Sequence, residues 1–201
     1  MTSLYHDGNR SFQDQFDSRR IADRLAQVTL RAAFTDADKA FIESRIMFFL
    51  ATADAAGRPT CTHKGGAAGF VRVVAPDELA FPDYDGNGMF LSLGNVSVNP
   101  HVGLLFIDFE TPKRLRVDGT ARVTRDDPLR GATVGAQLIV RVKARAIFPN
   151  CPRYIPKMTL VEPSIYAPRA GVDPPEPAWK GFADFKDAVH PRQPTWRGEE
   201  P

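Results

Sequence analysis

Four short stretches hold residue types and spacings that could do chemistry. The first, Thr62-His-Lys-Gly-Gly-Ala-Ala-Gly-Phe70, runs from a strand-like segment into a basic pair and then glycines. Glycines let a backbone approach a ligand closely, and their amides can point at an anion or a carbonyl oxygen. His63, Lys64, Gly65 and Gly66 are therefore candidates for holding a small anionic group; the alternative is a plain hairpin loop carrying an exposed lysine. The second stretch, Phe81 to Asn95, reads as strand, turn and helix, with the helix beginning near Asn87. A helix N-terminus offers unpaired amides and favours phosphate, and Ser92 and Asn95 add neutral donors. Asp83 and Asp85 would repel a phosphate at short range, so they are expected to meet other groups. An ordinary capped Asp-Gly-Asn-Gly turn is the competing account.

The third stretch is Lys113-Arg-Leu-Arg-Val-Asp-Gly119. Strand alternation puts Arg114 and Arg116 on one face, opposite Leu115 and Val117. Two arginines side by side suit a carbonyl-rich or anionic ligand, or simply a solvated face. For Arg141, Lys143 and Arg145 the solvated face is expected. The fourth is Phe148-Pro-Asn-Cys-Pro-Arg-Tyr-Ile155, where the prolines fix the backbone and Arg153 and Tyr154 offer a cation and a ring. Cys151 is expected as a buried or half-buried thiol. The histidines His6, His63, His101 and His190 lack metal-ligand spacing, and no nucleophile elbow, phosphate-binding P-loop or dinucleotide fingerprint is present.

Three zones must position these residues. Residues 1–45 read as a polar helical extension, with Phe12, Phe16, Ile21, Leu25 and Val28 on one amphipathic helix. Thr35, with Asp36 and Asp38 after it, should cap a short helix that turns Phe41 and Ile42 inward. Residues 46–148 carry the apolar run Ile46 to Ala53, a turn at Asp54 to Gly57, and further strand-like runs at Phe70 to Val74, Glu78 to Pro82, Val102 to Phe109, Leu115 to Val123 and Leu138 to Ala146. Met89 to Val98 has helical spacing and stops at Asn99-Pro100. The pattern predicts a mainly β fold with flanking helices, a six-stranded antiparallel barrel whose closure would remove exposed edges. Residues 149–201 are proline-rich and should form an extended tail, with one short helix at Ala178 to Ala188 that places Trp179, Phe182 and Phe185 on one side.

Composition narrows the function classes. Lys and Arg number 26 against 24 Asp and Glu, for a net charge of +2. That balance, with aromatics sitting in core-like runs rather than among basic residues, argues against a nucleic-acid binder. Two cysteines make neither a disulfide scaffold nor a four-cysteine zinc site. No secretory leader or membrane span is readable, so a cytoplasmic protein is expected.

The run Phe49-Leu-Ala-Thr-Ala-Asp-Ala-Ala-Gly-Arg-Pro59 resembles the opening of the pyridoxamine 5'-phosphate oxidase-like FMN-binding split barrels. The order that follows is similar too: a strand ending in a basic residue, the Phe81 to Asn95 unit, Asn99-Pro-His-Val-Gly-Leu-Leu-Phe106, then Arg114-Leu-Arg-Val-Asp-Gly-Thr-Ala-Arg-Val123. Pro82-Asp-Tyr-Asp-Gly-Asn87 and Asn150-Cys-Pro-Arg-Tyr-Ile155 look like an oxidase-related bacterial branch. The resemblance implies a homodimer with FMN at the subunit interface and a flavin-dependent oxidoreductase acting on a small molecule; the alternative is a non-catalytic carrier or sensor of flavin, haem or deazaflavin. It implies a cofactor site built from Lys64, Asn87, Ser92 and Arg114, lined by His63, Gly65, Gly66, Pro82, Asp83, Tyr84, Met89 and Asn95, with Arg153 facing it. Lys64 or Arg114 would sit near the pyrimidine side of the ring or near the phosphate. The chain departs from the vitamin oxidase itself: the Arg-Lys pair of that enzyme's helix is replaced here by Leu91-Ser92, and its substrate-binding C-terminal segment has no match in the tail.

Overall fold

The computed structural model describes residues 4–189; His190 and the prolines Pro191, Pro194 and Pro201 of the expected tail lie outside them. Seven strands form one antiparallel sheet: β1 (Met47–Ala53), β2 (Pro59–Gly65), β3 (Arg72–Ala75), β4 (Glu78–Asp83), β5 (His101–Asp108), β6 (Lys113–Thr124) and β7 (Leu138–Pro149). Their order is β2-β1-β5-β6-β7-β4-β3. The sheet curls until the ring of Phe48 on β1 meets that of Phe81 on β4, 5.0 Å away, although three strands separate β1 from β4 along the sheet.

One expectation changes here. There are seven strands rather than six, since the return strand after the Asp54 to Gly57 turn and the run near Phe70 to Val74 both pair, as β2 with β1 and β3 with β4. The barrel is split, as the family resemblance implies: β2 pairs only with β1, and β3 only with β4. Its inner face explains the curl. Phe48, Leu50, Phe81, Leu104, Phe106, Leu115, Val117 and Val142 alternate inward and are buried, and removing apolar area from water drives the sheet round them. Phe48 also meets Phe70 and Phe106, with ring centroids 5.9 and 5.1 Å away. Where β6 crosses β7 the register shifts between Asp118 and Gly119. A Cβ at Gly119 would stand 2.2 Å from the Lys143 carbonyl oxygen, so only glycine fits that crossing.

Helix α3 (Asp36–Glu43) starts as its sequence reads. Thr35 Oγ1 accepts from the Asp38 amide at 3.1 Å, Asp38 accepts back from the Thr35 amide at 3.0 Å, and Phe41 and Ile42 are buried. The amphipathic helix expected upstream is two helices, α1 (Asp7–Gln15) and α2 (Arg19–Thr29). Asp17 sits between them at φ 49°, a left-handed conformation that ends the first helix. Their apolar residues Phe12, Phe16, Ile21, Leu25 and Val28 are exposed.

Helix α4 (Leu91–Val98) joins β4 to β5, and α5 (Pro128–Gly131) precedes β7. Arg141 is not solvated as its alternation implied. Its guanidinium bridges Asp127, which also caps α5, and Glu78 at 2.7 Å. The Arg141 hydrogen bond, the largest influence on Asp127, holds that carboxyl below the usual range. In the tail, the expected helix from Ala178 to Ala188 shrinks to one 3-10 turn, Ala178–Gly181; Trp179 still meets Phe185 edge to face, while Phe182 and Phe185 are exposed. Cys151 is exposed rather than buried, since the segment after β7 lies on the surface. No helix among the described residues is long and apolar enough to cross a membrane.

Candidate functional site

The register of β1 with β2 places Thr60, Thr62 and Lys64 opposite Thr52, Leu50 and Phe48. These three β2 residues therefore lie on the inner face of the sheet, yet on its edge strand, where no neighbour closes the barrel. Polar side chains at inner positions are tolerated there because the split leaves them open to solvent. Across the gap runs the segment from Asp83 to Leu93, and between the two lies a cavity of about 240 Å³.

The far wall is shaped by the backbone after β4. Asn87 Oδ1 accepts from the Met89 amide at 3.0 Å, which turns the chain. Phe90 then stands at φ 49°, so α4 begins at Leu91 and not near Asn87. The helix has no side-chain cap. Leu91 to Leu93, its first turn, line the cavity, and their amides have no intrahelical acceptor. Together with the Ser92 and threonine hydroxyls they form a neutral donor set at the positive end of a helix dipole.

The nearby carboxylates are compensated. Lys64 Nζ lies 3.1 Å from Asp83 Oδ1 with both side chains largely buried. Asp85 meets Lys180 Nζ at 2.6 Å. Burial pushes the Tyr84 phenol up to about 12, with Arg72 opposing the shift, so the hydroxyl keeps its proton at neutral pH. Among the described residues no cluster of histidine, cysteine and acidic side chains could hold a metal ion.

Six of the thirteen candidate residues line this cavity: Lys64, Asp83, Tyr84, Asn87, Met89 and Ser92. Asn95 supports it from behind, donating to Thr52 Oγ1 at 3.0 Å and Thr60 Oγ1 at 3.1 Å, which ties α4 to the two strands. Pro82 is buried in β4. Gly65 lies against the His63 ring and Gly66 against Phe70, where added Cβ atoms would stand 3.0 and 2.6 Å away, so these positions serve close packing. His63 alternates with Thr62 and Lys64 and belongs to the opposite strand face. Arg114 is on β6, outside the cavity wall, and its Nε is buried without a partner. Arg153 is exposed and also outside that wall. The wall residues that sequence reading passed over are chiefly Thr60, Phe90, Leu91 and Leu93. For Thr60 a signal existed, since the alternation Thr60, Thr62, Lys64 puts all three on one face.

Residues 34–163 match the model of a family described as pyridoxamine 5'-phosphate oxidase. Similar solved structures include HupZ of Group A Streptococcus, 18% identical, covering 58% of this chain and 93% of that one with a TM-score of 0.47. A protein of Lactobacillus delbrueckii is 22% identical over 59% of this chain and 95% of its own, with a TM-score of 0.47. The heme storage protein HutZ of Vibrio cholerae is 21% identical over 55% and 91%, with a TM-score of 0.42. No curated protein matches the chain.

Proposed function

The chain belongs to the pyridoxamine 5'-phosphate oxidase family, and from that premise we propose that it binds FMN in the gap of its split barrel and serves as a flavin-dependent oxidoreductase acting on a small molecule. The observation that carries this reading is the uncapped start of α4, opening into a cavity whose two neighbouring carboxylates, Asp83 and Asp85, are each held by a lysine. Such a site accepts a phosphate without repulsion.

The donor set fits the group. The Leu91 to Leu93 amides and the Ser92 hydroxyl would hold the phosphate, and Thr60, Thr62 and Asn87 the polyol. When bound, the isoalloxazine supplies the electron transfer. The chain's own contribution is binding and orientation. Lys64 and Asp83 present a matched pair rather than a free cation, and Tyr84 offers a protonated hydroxyl that cannot act as a base at neutral pH.

A homodimer belongs to the same reading. The cavity, about 240 Å³, is smaller than the roughly 300–1,000 Å³ of typical small-molecule sites, which supports a second copy completing it. The exposed apolar residues of α1 and α2 are a surface such a copy would use. The purified protein is expected to be yellow, to release a chromophore that co-migrates with FMN on heating, and to scatter light as a dimer. Released FAD, a Soret band in place of a flavin spectrum, or no uptake of added FMN would overturn the cofactor; a monomer with FMN bound would overturn the shared site.

A further inference from the structure

The tail reaches Asp85, the neighbour of the cavity-lining residues Tyr84 and Gly86. Lys180, in the 3-10 turn Ala178–Gly181, is buried, its side chain 6% exposed, and its Nζ lies 2.6 Å from Asp85 Oδ2. Gln137 Nε2 stands 3.5 Å from the other carboxylate oxygen. Pro168 packs beside Gly135, close enough that a Cβ there would meet its ring at 2.7 Å, with Tyr84 at 3.6 Å. The tail thus touches Asp85 through Lys180 and packs on Gly135 near Tyr84. Lys180 also lies beyond the residues that match the family model, which end at 163.

A buried lysine is costly unless paired, and among the described residues Asp85 is its ion-pair partner. That partner is placed where its charge matters: Asp85 stands between Tyr84 and Gly86, which line the cavity on the same wall as the start of α4. An unpaired carboxylate there would oppose any phosphate bound at the helix. We infer that Lys180 is a positioning residue of the cofactor site: it holds Asp85 behind the cavity wall and cancels its charge, so that a C-terminal segment outside the family match makes the site accept a phosphorylated flavin. This rests on the FMN reading above.

The test compares the flavin-stripped full chain with its Lys180→Met variant and the double variant Lys180→Met/Asp85→Asn, titrated with FMN and with riboflavin, which lacks the phosphate. Lys180→Met is expected to weaken FMN at least ~10-fold while riboflavin changes less than ~2-fold, and Asp85→Asn in the double variant is expected to restore FMN to within ~3-fold of wild type. Equal loss of both flavins, not restored by Asp85→Asn, would mean a purely structural role and overturn the inference. If Lys180→Met fails to fold, the double variant, which buries no unpaired charge, decides: FMN and riboflavin bound as in wild type support the inference, and FMN weakened relative to riboflavin overturns it. A wild-type chain that binds FMN beside a Lys180→Met variant of unchanged affinity removes the inference alone, whereas a wild-type chain that binds no FMN removes the reading of the site and this inference with it.

Discussion

Phe48→Ala is expected to destabilise the fold by about 3–5 kcal/mol, a range set by large-to-small aromatic substitutions in cores. Phe48 is 1% exposed and its ring contacts Phe70, Phe81 and Phe106, which come from three other parts of the chain. For a chain of this length the loss corresponds to a fall in Tm of about 6–20 °C. The site should suffer with the core. Phe48 is the register partner of Lys64, and Phe81 lies two residues before Asp83, so the Lys64–Asp83 pair spans the gap directly above this cluster. Phe48→Leu, which keeps most of the volume, should cost less than about 1.5 kcal/mol. Chemical denaturation of both variants checks the pair; a Phe48→Ala loss under ~1 kcal/mol would mean that the aromatic cluster does not hold the curled sheet together.

Leu91→Asp is expected to weaken FMN roughly 100-fold, equivalent to about 2.7 kcal/mol, without lowering Tm. Leu91 is the first residue of α4, 57% exposed, and lines the cavity. A carboxylate at the first helical position is favourable to the helix, by about 0.3–1 kcal/mol, because it meets the positive end of the dipole and the unpaired amides. A phosphate would use those same amides, so the substitution improves the helix and removes the ligand together. Leu91→Asn, which lacks the charge, should keep most of the affinity. The two variants are read by flavin fluorescence quenching and thermal melts. Unchanged FMN affinity in Leu91→Asp would place the phosphate elsewhere than at α4.

Much of the fold is readable where one local rule acts alone. The Thr35 cap with its acidic first turn needs only four residues of sequence, and it forms as read. Leu115 and Val117 are buried and Arg116 is exposed because alternation along a strand is a property of the backbone. The turn at Asp54 to Gly57 is likewise local: Gly57 takes φ 79° and Asp54 accepts from the Ala56 and Arg58 amides. Expectations failed where two local rules competed or a distant partner decided. Spacing from Met89 onward suits a helix, but the Asn87 side chain captures the Met89 amide and delays the helix to Leu91. Arg141 sits at a position that alternation assigns to solvent, and only the arrival of Asp127 and Glu78 from other elements covers it. Around the site, Lys64 and Asp83 are nineteen residues apart, and Asp85 and Lys180 ninety-five; no pattern in either neighbourhood announces its partner.

What the sequence determined by itself is therefore the set of strands, the capped helix, the order of motifs that marks the family and the residues on each side of the cavity. These follow from backbone periodicity, turn chemistry and caps, all of which act within a few residues. What only the tertiary structure decided is that the inner face of the edge strand β2 is polar and turned toward an uncapped helix, and that each acid beside this opening has a lysine of its own. Those outcomes depend on how a curled sheet brings distant residues within Coulomb range, and burial makes each charge's cost depend on its partner rather than on its neighbours in sequence.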